Sequence, residues 1–205
     1  MIKVRVGAAS FDGRLTAPEA KKALEKLQGT SLFSAEIITV NGTWISRARN
    51  LTVTLGKSSL RKQTFDWDYY LATDDDVGFI PKSVQRLIEL DLDIVGCAYA
   101  QKANGSATET IAAGYFDKSE GVSDKRLNYY DSGLIEVDWI GMGCTLIKKR
   151  VFEALEYPYF RHLIVEHEDK AEEVTEDIGF CVLARRAGFK VFCDLNNRAF
   201  HASRV

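Results

Sequence analysis

YYLATDDDVGF, Tyr69 to Phe79, places three consecutive carboxylates, Asp74, Asp75 and Asp76, directly after an apolar, β-favouring run. Like charges crowded at the exit of a buried strand repel one another, and something must offset that repulsion. A divalent cation would do so. So would solvent around an acidic turn ahead of a helix, whose N-terminal dipole favours negative charge. The surrounding sequence has to decide between the two.

Before this stretch, Ile2 to Ala9 is a β-prone run. Thr16-Ala17-Pro18 opens a helix with Ala20, Leu24 and Leu27 on one face and Gly29 as its stop. Glu36 to Val40 reads as a second strand. Trp44 to Leu55 mixes β-branched residues with the helical spacing of Ile45, Ala48, Leu51 and Leu55. After the acidic stretch come a helix from Pro81 to Leu90 and a strand from Asp93 to Ala98. This β-then-α rhythm predicts an α/β fold with a mostly parallel central sheet flanked by helices.

The second half has a weaker rhythm. Gln101 to Glu109 and Lys118 to Lys125 are polar and read as surface loops. Ile111 to Phe116, Leu134 to Ile140 and Cys144 to Ile147 read as strands, followed by a short helix from Arg150 to Leu155. Tyr157 to Glu173 shows no period and suits a flexible flap. Thr175 is the predicted cap of a helix through Ala187, and Lys190 to Leu195 is the last predicted strand.

Composition narrows the function. The chain has 205 residues, 46% of them hydrophobic, which suits one globular domain. A net charge of -2 lacks the basic footprint of a nucleic-acid-binding protein. Cys97, Cys144, Cys181 and Cys193 form no C-x-x-C pair, so reduced core thiols are expected, with neither a disulfide framework nor a zinc site. Lys3 and Arg5 interrupt any signal-peptide core, and no apolar run approaches membrane-spanning length. A cytoplasmic location is the expectation. Three glycosylation-type triplets, beginning at Asn41, Asn50 and Asn104, are then coincidental.

Several stretches together resemble a GT-A glycosyltransferase of the family 2 type. They are the apolar strand leading into Asp74-Asp75-Asp76, the Arg-Asn pair at Arg49-Asn50, the glycine-rich strand entry from Gly141 with its basic pair and helix, Glu176-Asp177 and the late His201. Their order spans nearly the whole chain. In size the chain is similar to small virus-encoded enzymes of this fold, such as those of chlorella viruses, which would place it in a host cytoplasm. A catalytic domain from a longer polypeptide is the other expectation.

The resemblance implies a metal-dependent transfer of a sugar from a nucleoside-diphosphate sugar to a hydroxyl on a glycan or glycoprotein acceptor. UDP is favoured by its frequency in the family. Asp76 and His201 would ligate Mn²⁺ or Mg²⁺, and Asp74 would reach the metal through water or contact the donor ribose. Asp75 occupies the variable position and adds its charge on the donor side. Asp177 would be the general base of an inverting reaction, with Glu176 beside it, although acidic residues in a first helical turn also simply complement the dipole. Retention stays open.

The loop after the first strand, Gly7 to Gly13, offers Ser10, Phe11 and Asp12 to the nucleoside, against the plainer reading of an Asp-Gly turn. Asn41 stands where relatives often carry Asp, which leaves the base contact open. Arg49 would reach a phosphate or the base. On the acceptor side the candidates are Trp139, as a stacking platform or as core, and Gly143. The acidic run from Glu166 to Glu173 is expected to close over bound donor as a lid.

Other readings compete less well. A haloacid-dehalogenase-type phosphatase wants Thr or Val where Gly78 stands, and a sugar-nucleotide pyrophosphorylase needs basic residues that GAASFDG lacks. His162, Glu166 and His167 are spaced one residue too widely for an inverted zincin. The alternative from another class is a non-catalytic module that binds nucleotide sugar or glycan within a larger assembly.

Overall fold

The structure, a computed structural model, describes residues 1–10, 18–55, 65–103, 106–117, 121–167 and 170–201. The first half alternates as its pattern requires: β1 (Lys3–Ala9), α1 (Pro18–Gln28), β2 (Ser34–Val40), α2 (Ile45–Thr54), β3 (Tyr69–Asp74), β4 (Val77–Gly78), α3 (Pro81–Glu89) and β5 (Ile94–Ala98). Strands dominate thereafter. They are β6 (Ala100–Ala103), β7 (Ser106–Asp117), β8 (Gly121–Asn128), β9 (Leu134–Val137), β10 (Trp139–Ile140) and β11 (Cys144–Lys148). After α4 (Lys149–Ala154) follow β12 (Leu163–His167), β13 (Lys170–Val174), α5 (Glu176–Arg186), β14 (Val191–Arg198) and β15 (Phe200–His201).

A seven-stranded sheet runs in the order β2-β1-β3-β11-β5-β14-β9. β1 pairs in parallel with β2 and β3, and β14 pairs in parallel with β5. The sheet is nevertheless mixed, because β11 enters antiparallel between β3 and β5 and β9 is antiparallel to β14. The parallel expectation therefore needs correction in the second half. Strand direction depends on how the chain returns to the sheet, which the composition of a single strand does not encode.

Alternation along the buried strands feeds two cores. Tyr70 and Ala72 of β3 join Trp67, Phe152, Phe160 and Phe180 on one face, where α2, α4 and α5 pack. Leu71 joins Leu24, Leu27, Val84 and Leu87 of α1 and α3 on the other. The Phe160 and Phe180 rings are stacked with centroids 4.7 Å apart. Full burial of each such side chain contributes about 1.5–3 kcal/mol. α2 forms despite its β-branched residues because Val53 reaches this core and Ala48 is buried.

Two further expectations change. The Gln101 to Glu109 stretch is not merely loop: β6 and β7 pair antiparallel through it. The acidic flap contains a hairpin, β12 against β13, with Leu163 opposite Val174 and Glu166 opposite Ala171. All four cysteines are free and buried. Among the described residues, no helix is long and apolar enough to cross a membrane.

Candidate active site

β3 delivers the acidic stretch at its carboxyl end, beside the ends of β1 and β2, where Ala9 registers with both Asp74 and Val40. The three carboxylates then part company. Asp75 is buried and accepts a 2.7 Å hydrogen bond from the Ser10 hydroxyl. This contact ties the end of β1 to the acidic turn. Asp74 turns toward α2, and Asp76 turns toward β6 and β15.

Arg49 is the centre of the first arrangement. Its Nη2 donates to Asp74 Oδ1 at 2.5 Å and its Nη1 to Glu176 Oε1 at 2.7 Å. Burial alone would lower the guanidinium, but the facing carboxylates outweigh burial and raise it, so Arg49 stays charged. Burial pushes both partner carboxyls up, against the pull of Arg49. Arg49 Nε is buried and has no hydrogen-bond partner among the described residues. Next to it, Asn50 fastens the site to the core: its amide donates to Phe160 O at 2.7 Å and accepts from the backbone of Tyr159 and Phe160.

The second arrangement gathers at Asp76. Its Oδ2 lies 3.2 Å from His201 Nε2 and accepts from Lys102 Nζ at 2.8 Å. Burial would raise the Asp76 carboxyl, but hydrogen bonds from His201 and Lys102 overcome that and hold it down at about 2. His201 reaches this place because β15 pairs with β4, bringing His201 opposite Val77. Its Nδ1 lies 2.8 Å from the Ala100 carbonyl, which can only accept, so Nδ1 carries a proton and donates it there. The Tyr99 ring packs edge-on against the imidazole.

The expected metal set of Asp74, Asp76 and His201 is thus only partly assembled. Asp76 and His201 meet, while Asp74 is occupied by Arg49, and among the described residues no three ligating side chains converge. The donor chemistry of the remaining pair still fits a divalent cation. With Nδ1 held by a carbonyl, His201 presents Nε2 toward a carboxylate oxygen, an orientation that metal-ligating histidines commonly take. One N and one O donor are compatible with a divalent cation such as Mn²⁺.

Glu176 and Asp177 begin α5 with different fates. Glu176 is buried against Arg49, so the expected catalytic neighbour instead positions the guanidinium. Asp177 is partly exposed and accepts hydrogen bonds from the Thr175 hydroxyl and the Ile178 amide. Thr175 makes no side-chain cap bond to the helix backbone, and its hydroxyl donates to the Asp177 carboxylate instead. α5 also runs close to the chain at Arg161: a Cβ on Gly179 would lie 2.1 Å from the Arg161 carbonyl.

The acceptor-side expectations need correction. Trp139 is 3% exposed, in the core, with Arg126 over its ring, so no sugar can stack on it in this structure. Gly143 is packed against Tyr99 and Val77, and its amide donates to the Tyr99 hydroxyl. Asn41 is exposed at the end of β2. Phe11 and Asp12 lie outside the described residues.

Residues not singled out from sequence complete the site. Lys102 sits in a polar stretch with no periodicity, and only the β6 and β7 pairing brings it to Asp76. A cavity of about 220 Å³ borders His201, lined also by Thr108, Glu109, Tyr129, Tyr130 and Phe200. Beside it Tyr130 is 76% and Phe200 59% exposed, an exposure that the sequence alone does not reveal.

Comparison with known proteins supplies a fold. No family model matches the chain, and no curated protein sequence matches it. Among solved structures, the chain is similar to A197 from STIV, with a TM-score of 0.57 and 14% identity over 100% of this chain and 98% of that one. It is also similar to GalNAc-T7, solved with UDP, GalNAc and Mn²⁺, with a TM-score of 0.53 and 12% identity. That likeness covers 100% of this chain and 44% of the other, so the chain spans less than half of that protein. The fold is GT-A-like.

Proposed function

We propose that this protein is a glycosyltransferase that moves a sugar from a nucleoside-diphosphate sugar, UDP-linked for preference, to a hydroxyl acceptor. One observation carries the reading. The strand-end carboxylates divide into Asp74, neutralised internally by Arg49, and Asp76, which faces His201. The second pair offers ligands for Mn²⁺ or Mg²⁺ at the place where open α/β sheets bind their ligands. GalNAc-T7, of similar fold, is described with UDP and Mn²⁺, which supports the same chemistry here.

When bound, the cation supplies charge stabilisation to the diphosphate as it leaves. The chain's own residues do the rest. Ser10 and Asp75 fix the turn beneath the donor, and Arg49 holds α2 and α5 together across it. Asp177, the partly open carboxylate of the pair, takes the proton from the acceptor hydroxyl as that oxygen attacks the anomeric carbon. The product is then inverted at that carbon. The acceptor enters over the cavity beside His201, where the exposed rings of Tyr130 and Phe200 are offered to a sugar.

Calorimetric titration of UDP and other nucleoside diphosphates, with and without Mn²⁺, tests the reading on the wild type and Asp76→Ala. Metal-dependent binding of one nucleotide, lost in the variant, is expected. Absence of metal-dependent binding for every nucleotide would overturn it, leaving the acidic stretch as a turn in a binding module.

A further inference from the structure

The Asp76 carboxylate already has a cation. Lys102 Nζ is 2.8 Å from the same Oδ2 that faces His201 Nε2, and both the lysine and the aspartate side chains are only 16% exposed. This is not the solvated surface pair that contributes little to a fold. The geometry of β6 accounts for it. Ala100, whose carbonyl holds His201 Nδ1, and Lys102 are two residues apart on that strand, and the β6 and β7 register shifts between them. Such irregularities re-aim side chains. One short strand therefore orients the histidine and delivers an ammonium to the oxygen the histidine faces.

A divalent cation bound between Asp76 and His201 would meet the Lys102 ammonium at close range, and two positive charges cannot share one carboxylate oxygen without a large penalty. Lysine has the means to leave, since its charge rides on a flexible four-carbon stem. Once displaced, its nearest anionic partner would be a diphosphate drawn to the same cation.

We propose that Lys102 is a resident cation of the site, which competes with the divalent ion for Asp76 and provides a counter-charge for the donor diphosphate. Lys102 is a positioning and binding residue in this scheme, and no bond is made or broken by it. Its second role rests on the proposed function, but its competition with the metal does not. Metal affinity is then set partly by the protein's own ammonium, and a bound diphosphate raises it by giving Lys102 somewhere else to go.

The test is calorimetric titration of Mn²⁺ alone into the wild type, Lys102→Gln and Lys102→Arg, followed by titration of UDP at saturating Mn²⁺. Lys102→Gln is expected to bind Mn²⁺ roughly tenfold more tightly, on the scale of losing one part-buried competing charge. It is expected to bind UDP at saturating Mn²⁺ more weakly than the wild type, and Lys102→Arg should resemble the wild type in both. Unchanged or weaker Mn²⁺ binding by a folded Lys102→Gln, or no Mn²⁺ binding by any of the three, would overturn the inference. Tighter Mn²⁺ binding by Lys102→Gln without UDP binding by any protein supports the metal competition and removes UDP as the donor nucleotide instead.

Discussion

Arg49 and Glu176 are 127 residues apart in the chain and 2.7 Å apart in the fold, and with the partly exposed Asp74 they form one largely buried ion cluster. α2 and α5 pack on the same face of the sheet, so the cluster crosses the interior at the mouth of the site. Removing the shared guanidinium strands two carboxylates. Arg49→Met is expected to cost about 3–5 kcal/mol of stability, the range for breaking a buried ion pair on one side. Chemical denaturation measures it, and a loss below about 1 kcal/mol would contradict the buried cluster. Arg49→Lys should not restore stability, because a single ammonium cannot reproduce the two-armed contact.

Asn50 satisfies backbone groups at Tyr159 and Phe160 from both ends of its amide. Asn50→Ala leaves buried donors and acceptors unpaired, each costing about 1–3 kcal/mol. A marked drop in thermal stability is expected, and Asn50→Asp should also fail because a carboxylate cannot donate to the Phe160 carbonyl. A melting temperature unchanged in either variant would refute this role.

The two acidic residues that begin α5 should separate by assay. Asp177→Asn is expected to lower transfer by about 10²–10⁴-fold, the usual contribution of a general base, while nucleotide affinity stays within about twofold. Glu176→Gln should mainly reduce stability, since it weakens the hold on Arg49. Equal loss of transfer in both variants, with equal stability, would argue against Asp177 as the base.

Asp76 gives a pH signature. A carboxylate held down at about 2 when folded binds fewer protons folded than unfolded, so its contribution is complete above the unfolded value near 4. That contribution, about 2 kcal/mol, is lost as pH falls toward 2. Without divalent ions, the wild type should therefore lose more stability between pH 4 and pH 2 than Asp76→Asn does. Parallel stability profiles for the two proteins over that interval would contradict the hydrogen-bonded geometry at Oδ2.

The cavity beside His201 predicts a division of kinetic effects. Tyr130→Ala removes a ring that is 76% exposed and supports nothing in the core, so folding and donor hydrolysis should be unaffected. KM for the acceptor should rise several-fold. A variant indistinguishable from the wild type in acceptor KM would move the acceptor elsewhere.

Much of this arrangement is legible in the chain because local pattern and burial coincide. The run from Tyr69 to Asp74 reads as a strand, and its exit reads as a charged loop, for the same reason: apolar residues alternate into two cores until the carboxylates begin. Where placement depends on a distant partner, the pattern is silent. Lys102 has no periodic neighbours, yet pairing with β7 places it on Asp76. Trp139 carries the same amphipathic ring whether it faces a sugar or the core, and only the packing of β10 against β7 decides. The reversed β11 is a property of the return path, not of Cys144 to Lys148.

Among the described residues, β15 is held to β4 by two register positions, Phe200 with Gly78 and His201 with Val77. So short a pairing can open locally while the seven-stranded sheet stays intact, since small peripheral units lie at the low end of a protein's range of opening free energies. The imidazole would then be present at Asp76 for only the fraction of time that this strand is docked. Metal capture becomes a miniature folding reaction, and the ion that bridges Asp76 and His201 would staple the strand in place. Amide hydrogen exchange at Phe200 and His201 should slow on addition of Mn²⁺, while exchange in β1 and β3 stays as it was.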